Sequence, residues 1–406
     1  MLIAALWPCW AAAADPAPSD PPPEAPSAST EEPPPPDPDD LAALRARLDA
    51  LEAELEQERQ DALLREAEQL AAQAPPPPPT LPSSASAFNP ALTAFGDVFG
   101  TLGVRDGAVL PGSTFWMRSL ELDLRADVDP FAQAVAVFAV EQEPPALEPE
   151  PGAGDADTDE HSAFSAAPEE LYVDFVSLPG GLSVRAGGFR QPFGITNRAH
   201  PHDYPWTDLP LPLEAVLGEE GLNDVGATAT WRVPNRLGLG LSVTGGVNGG
   251  TRFDPDGTTA VPAWIGRAEY FQRAGKLDLA LGASGTGQKD DAVVGGDLML
   301  RWRANQWRSV LLLAEALAEP HTDTTGGYAA LQLQPARPVY LGVRGDWLSV
   351  AGEPTWRAGA FASYYTSEFL RLRAGVLTDA DALWVGNLQL TFVWGSHPVE
   401  PYWVNR

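Results

Sequence analysis

Long apolar runs are missing from this 406-residue sequence. No stretch approaches the roughly 18 consecutive apolar residues that a spanning helix needs, which excludes a helical membrane protein. Cysteine is nearly absent. Cys9 stands alone near the start, so Cys-based metal sites and cysteine catalysis are excluded, and export into an oxidising compartment is unobstructed. Lysine is nearly absent too: Lys276 and Lys289 leave arginine to carry almost all the positive charge. Positive charge as a whole is scarce, with 26 Lys+Arg against 55 Asp+Glu and a net charge of −29. That balance argues against a nucleic-acid partner. Catalytic signatures are missing as well: there is no phosphate loop, nucleophile elbow or His-Glu-x-x-His helix. The glycine-rich run at 282–287 is followed by no helical pattern and reads as a strand running into a loop. Neither an enzyme nor a cofactor is expected.

What is present is alternation. Hydrophobic residues make up 44% of the chain, spread singly rather than in blocks. Leu120, Leu122, Leu124, Ala126 and Val128 alternate with Glu121, Asp123, Arg125 and Asp127. Four charged side chains on one face are hard to bury in a compact core but suit a water-filled lumen. Leu182, Val184 and Ala186 alternate likewise with Ser183, Arg185 and Gly187, just after a Pro179-Gly180-Gly181 turn. A long irregular segment, 195–223, then precedes the next alternating run. Short turn followed by long loop is the rhythm of a transmembrane β-barrel, and it repeats to residue 395. The reading is an all-β fold, a transmembrane antiparallel barrel of about 16 strands occupying 88–406. Trp116, Tyr172, Trp231, Trp307, Tyr340, Trp356, Tyr364, Tyr365, Trp384 and Trp394 fall near predicted strand ends, where interfacial girdles would place them.

The N-terminal part has a different composition. Residues 1–14 read as a signal peptide without its basic region, hence with a truncated start. Residues 15–40 are a Pro-rich acidic disordered linker. In 41–74, Leu41, Leu44, Leu48, Leu51 and Leu55 follow heptad spacing and predict a short coiled-coil helix. A proline-rich hinge, 75–87, follows. The acidic segment 144–162 reads as a solvated loop rather than a calcium site.

The run from Leu182 to Trp231 resembles porin-like bacterial outer-membrane proteins related to the phosphate-selective porin O/P superfamily. The matching residues are Arg185, Gly187, Phe189, Phe193, Gly194, Asn197, His200, His202, Gly218, Gly221, Asp224 and Gly226. The stretches 88–100 and 388–398 resemble that family's opening and closing strands. Departures are the C-terminal Val-Asn-Arg and the scarcity of lysine, which does not suit a dedicated phosphate channel. The resemblance implies a Gram-negative outer-membrane porin passing small hydrophilic solutes or ions by diffusion. Its N-terminal extension would lie in the periplasm, and it favours a homotrimer in the membrane lipid. Two alternatives stay open: an envelope tether reaching the cell wall through the coiled coil, and zinc-associated transport, since some relatives are linked to zinc handling.

The expected pore-loop residues are Arg185, Arg190, Asn197, His200, His202, Asp203, Glu219 and Glu220. The expected lining is Glu121, Asp123, Arg125, Asp297, Arg301, Arg303, Arg344, Asp346, Arg371 and Arg373, read as a mixed-charge surface with Arg paired to carboxylate rather than a cationic track. His200 and His202 are candidates for metal ligation, with a structural part in the pore loop the favoured reading.

Overall fold

The computed structural model describes Arg47, which is helical, and residues 90–395, less Pro145, 148–163, Leu237 and 259–260. The expected signal peptide, linker and hinge, the coiled coil apart from Arg47, most of the acidic loop and the extreme C-terminus lie outside the described residues.

Among the described residues, sixteen long strands form one closed antiparallel ring. In chain order they are β1 (Ala91–Arg105), β2 (Thr114–Asp129), β3 (Ala132–Gln142), β4 (Phe164–Leu178), β5 (Leu182–Arg190), β6 (Asn223–Arg232), β7 (Gly240–Asn248) and β8 (Ala263–Ala274). The second half runs β9 (Leu277–Gln288), β10 (Asp291–Asn305), β11 (Arg308–Glu319), β12 (Thr324–Ala336), β13 (Val339–Val350), β14 (Glu353–Ser367), β15 (Leu370–Asp379) and β16 (Trp384–Gly395). A two-residue strand, Ala108–Val109, folds back on the end of β1. Each strand pairs with its sequence neighbours, and β1 pairs with β16 from Thr93–Gly395 to Val104–Trp384, so no edge is left open. Strand lengths of 9 to 16 residues suffice to cross a bilayer at the usual tilt.

The polarity of the wall is inverted relative to a soluble protein. On β2, Glu121 and Asp123 are 3% and 7% exposed, while Leu122 and Val128 are 40% and 61% exposed. The outward half of this pattern recurs around the ring, with Leu171, Val225, Val243, Val343, Leu372 and Leu388 all exposed on the outside. An apolar belt of this extent is the surface that lipid, not water, would cover.

One end of the barrel carries mostly tight turns, among them Pro179–Gly181 and the two-residue links between β8 and β9 and between β10 and β11. The other end carries the long connections at 143–163, 191–222 and 249–262. Several expectations shift. The 282–287 glycines lie inside β9 rather than entering a loop. The strand expected to begin near Tyr172 begins at Phe164. Of the expected girdle aromatics, Tyr172 and Tyr340 are buried on the inner face, because Tyr172 packs on Phe189 and the Tyr340 hydroxyl accepts a hydrogen bond from Gln334. Trp231, Trp356, Trp384 and Trp394 do face outward.

Candidate site: the inserted loop and the barrel wall

The connection 191–222 does not stay at the rim; it packs inside the barrel. Phe193, Ile195, Tyr204, Trp206, Leu213, Val216, Leu217 and Leu222 are buried together with Met299, Leu311, Leu313, Tyr328 and Phe361 of the inner wall. These wall residues stand at alternate positions of β10 to β14, where a wholly wet lumen would place polar groups. The side of the lumen they line is therefore dry, because the loop covers it.

The motif residues fasten this loop. Asn197 donates to the carbonyls of Gln191 and Leu222 at 2.9 and 3.1 Å and accepts from the Leu222 amide at 2.6 Å, closing the loop at its base. Glu315 of β11 accepts from the Ile195 and Thr196 amides at 3.0 and 2.7 Å and from the Tyr328 hydroxyl at 2.8 Å. Gly194 sits at φ +60 against that carboxylate and Gly221 at φ +76 against Asn197; a Cβ at either place would collide with the group it approaches. A short helix, α1 (Leu211–Leu217), caps the segment, its first amide donating to Asp346 at 3.0 Å.

Arginines of the wall then take up the loop's carbonyls one after another. Arg371 donates to the His202 carbonyl at 2.5 Å, and Arg373 to those of Tyr204 and Trp206 at 2.6 and 2.5 Å. Arg118 donates to Thr207 at 3.0 Å and Arg344 to Asp208 at 3.1 Å. Extended backbone in a dry interior must find donors, and guanidinium groups supply several each.

On the opposite flank the loop meets carboxylates. His200 Nε2 lies 3.2 Å from Glu170, and its Nδ1 lies 3.3 Å from Glu169 and 3.4 Å from Glu121. His202 Nδ1 lies 3.1 Å from Glu121, and its Nε2 is 3.6 Å from Asp203. The His202 ring stacks on Phe95 at 4.3 Å. Burial opposes charge on both rings, yet the carboxylates outweigh it. Glu169, Glu121 and Glu170 hold His200 well above the usual imidazole range, and Glu121 and Asp203 raise His202. Arg190 completes the cluster, pairing with Glu169 at 2.5 Å and with the Glu220 carbonyl at 2.6 Å.

Glu169 and Glu170 are neighbours on one strand and should point to opposite faces. The ladder shifts register here, pairing Val137 with Glu170 and Phe138 with Pro168, so Glu169 is the extra residue of a bulge and turns inward as well. A second bulge leaves Arg118 unpaired between Asp97–Ser119 and Val98–Met117, and Arg118 closes onto Asp97.

Two cavities flank the 199–204 segment. One, of 780 Å³, is lined by Arg125, Arg185, Ser183, Thr230, Ala199, His200 and Asp203 and reaches towards the tight-turn end. The other, of 530 Å³, is lined by Trp116, Arg118, Pro201, Tyr204, Glu219 and Glu220 and lies towards the long-loop end.

The expected site residues distribute as follows. Arg190, His200, His202, Asp203 and Glu121 come together in this histidine–carboxylate cluster, a clasp between the loop and the wall. Arg185 does not; it stays on β5, paired with Asp174 at 2.7 Å over the Tyr172 ring. Asn197 is a loop staple, and Glu219 and Glu220 line the second cavity. Arg125 pairs with Asp123 at 2.7 Å, Asp297 with Arg267 at 2.5 Å, and Arg303 with Asp278 at 2.9 Å. Arg301 faces inward on β10 and is half-buried. Arg344, Asp346, Arg371 and Arg373 face inward as read, but the loop covers them, so they hold it rather than face open water. Sequence reasoning missed Arg118, Glu169, Glu315 and Tyr328 as partners of the loop. Pro168 inside a strand was the one local signal for the bulge at Glu169.

The closed sixteen-strand barrel matches the fold of solved outer-membrane porins. A structure of Pseudomonas putida OprB at high pH is similar, with a TM-score of 0.52 and 10% identity over 77% of this chain and 95% of that one. An anion-selective porin from Comamonas acidovorans is similar at TM-score 0.50 and 12% identity, over 75% and 99%. No family model matches. In sequence, an uncharacterised Aquifex aeolicus protein is 40% identical over 82 residues, 20% of this chain and 17% of that protein, so the match spans under a fifth of the relative's length.

Proposed function

We propose that the protein is a Gram-negative outer-membrane porin through which small hydrophilic solutes or ions diffuse passively, and that the 199–204 segment is its narrowest point. The observation that carries this reading is the inverted wall. Leucines and valines cover the outside, while charged and hydroxyl side chains line two cavities on either side of one inserted segment. The fold shared with OprB and the Comamonas porin supports it. The same arrangement supports a role as a channel rather than an enzyme. Assembly as a homotrimer belongs to this proposal, as does a periplasmic position for the N-terminal extension.

Because lining arginines are mostly paired with carboxylates, the channel discriminates weakly by charge. The test is reconstitution of the full chain into planar bilayers. Discrete current steps are expected, with a small reversal potential in a salt gradient and unchanged step size when residues 15–80 are deleted. Folded protein that inserts but carries no current would overturn the proposal.

A further inference from the structure

The geometry points to a binding site for one divalent transition-metal ion at the clasp, formed by Glu121 from the wall and His200 and His202 from the inserted loop. One ligand atom from each of the three lies within 4.8 Å of the others. The closer separations are more telling. His202 Nδ1 stands 3.1 Å from one Glu121 oxygen and His200 Nδ1 stands 3.4 Å from the other. In a tetrahedral site with bonds of about 2.0–2.1 Å, neighbouring ligand atoms are roughly 3.3 Å apart. Each imidazole is thus near coordination spacing of the Glu121 carboxylate, through a different oxygen, and a common ion would draw together the three donors that now lie within 4.8 Å of one another.

Three further features favour an ion over a set of hydrogen bonds alone. First, His200 Nδ1 is buried and makes no hydrogen bond, although oxygens of Glu121 and Glu169 lie within 3.4 Å. It is aimed between them. Glu169 Oε2 is likewise buried without a hydrogen bond, while its other oxygen is held by Arg190. Second, each imidazole faces Glu121 with Nδ1 and turns Nε2 to a different carboxylate: His200 to Glu170 at 3.2 Å, His202 towards Asp203 at 3.6 Å. A ligating histidine characteristically offers its other ring nitrogen to such a carboxylate, which fixes the ring and raises its donor strength. Third, His200, Asp203 and Glu170 also line the larger cavity, so an ion has a route in.

The donor set defines the class of metal. Two imidazoles and a carboxylate suit Zn²⁺, Co²⁺ or Ni²⁺ and do not suit Mg²⁺ or Ca²⁺, which take oxygen ligands. An ion here would tie the loop to β2 across the lumen, since the histidines belong to one and Glu121 to the other. Coordination needs no current to be detected, so it stands or falls apart from conduction.

The experiment is Co²⁺ titration of the full-length folded protein in detergent after chelator treatment, read by visible d–d absorption. One saturable equivalent is expected, displaced by Zn²⁺ and not by Mg²⁺. His202→Gln should abolish the band. Glu170→Gln should keep saturation but weaken binding about 10- to 100-fold. His321→Gln, which alters an exposed histidine paired with Asp291 far from the clasp in sequence, should change nothing. Folding of each variant is checked by resistance to detergent unfolding on unheated gels. Should His202→Gln fail to fold, the wild-type titration and Glu170→Gln decide alone. Absence of a saturable band in folded wild-type protein would overturn the inference, the clasp then holding protons only. A band of equal strength in folded His202→Gln would overturn it too.

Discussion

At the scale of single residues, the inner wall divides its arginines between two jobs. Arg125, Arg185 and Arg303 pair with a carboxylate on their own or a neighbouring strand. Arg371 and Arg373 instead hold backbone carbonyls of the inserted loop. Nothing in the sequence separates the two groups, because both occupy the same phase of an alternating strand; only the path of a loop about 170 positions away decides which job each does. Arg373→Ala should therefore act on the loop. Two buried carbonyls lose their donor, at about 1–3 kcal/mol each, and the segment around Trp206 leaves the wall. The expected outcome is a folded barrel with larger and noisier single-channel currents; unchanged currents would contradict the clamp. The motif residues tell a complementary story. Asn197, Gly194 and Gly221 were legible as a group, while their purpose, a loop tied at its base and seated on Glu315, was not.

Among elements, the strands were the most legible feature. A period of two with charge on one face fixes β2 from its residues alone, and the apolar phase points outward at each strand named above. Val343, 55% exposed near the middle of β13, is one such position. Val343→Arg should cost roughly 2–4 kcal/mol when the barrel is folded into phospholipid vesicles, as for a cation near the bilayer midplane. Denaturant titration in the vesicles measures this, and a cost near zero would mean that the outer face of β13 meets no lipid. The two bulges were not legible, since register is set between strands rather than along one. They matter because they turn Arg118 and Glu169 inward, adding to the wall charges that strict alternation would have sent out. Strand β11 departs from the rule: Leu311, Leu313 and Leu317 are its inward residues, apolar because Trp206 and its neighbours press on them.

For the whole molecule, the ring of sixteen strands has two different interiors. Along β10 to β14 it is dry and filled by the loop; β2 and β4 to β8 contribute polar side chains to a cavity of 780 Å³, while β3 turns Val135 and Val137 inward. Strand count and closure followed from the sequence rhythm. The asymmetry did not, because it depends on where 191–222 packs once the cylinder exists. The central claim is that the cylinder stands in a bilayer with its polar phase inward. Nitroxide scanning of positions 120 to 128 in reconstituted full-length protein tests this most directly. The prediction is a period of two, with labels at 120, 122 and 124 reached by oxygen dissolved in the lipid. Labels at 121, 123 and 125 should be shielded from oxygen and reached, where reached at all, by a water-soluble nickel reagent. Labels at 120, 122 and 124 that are reached by the nickel reagent and not by oxygen would contradict it.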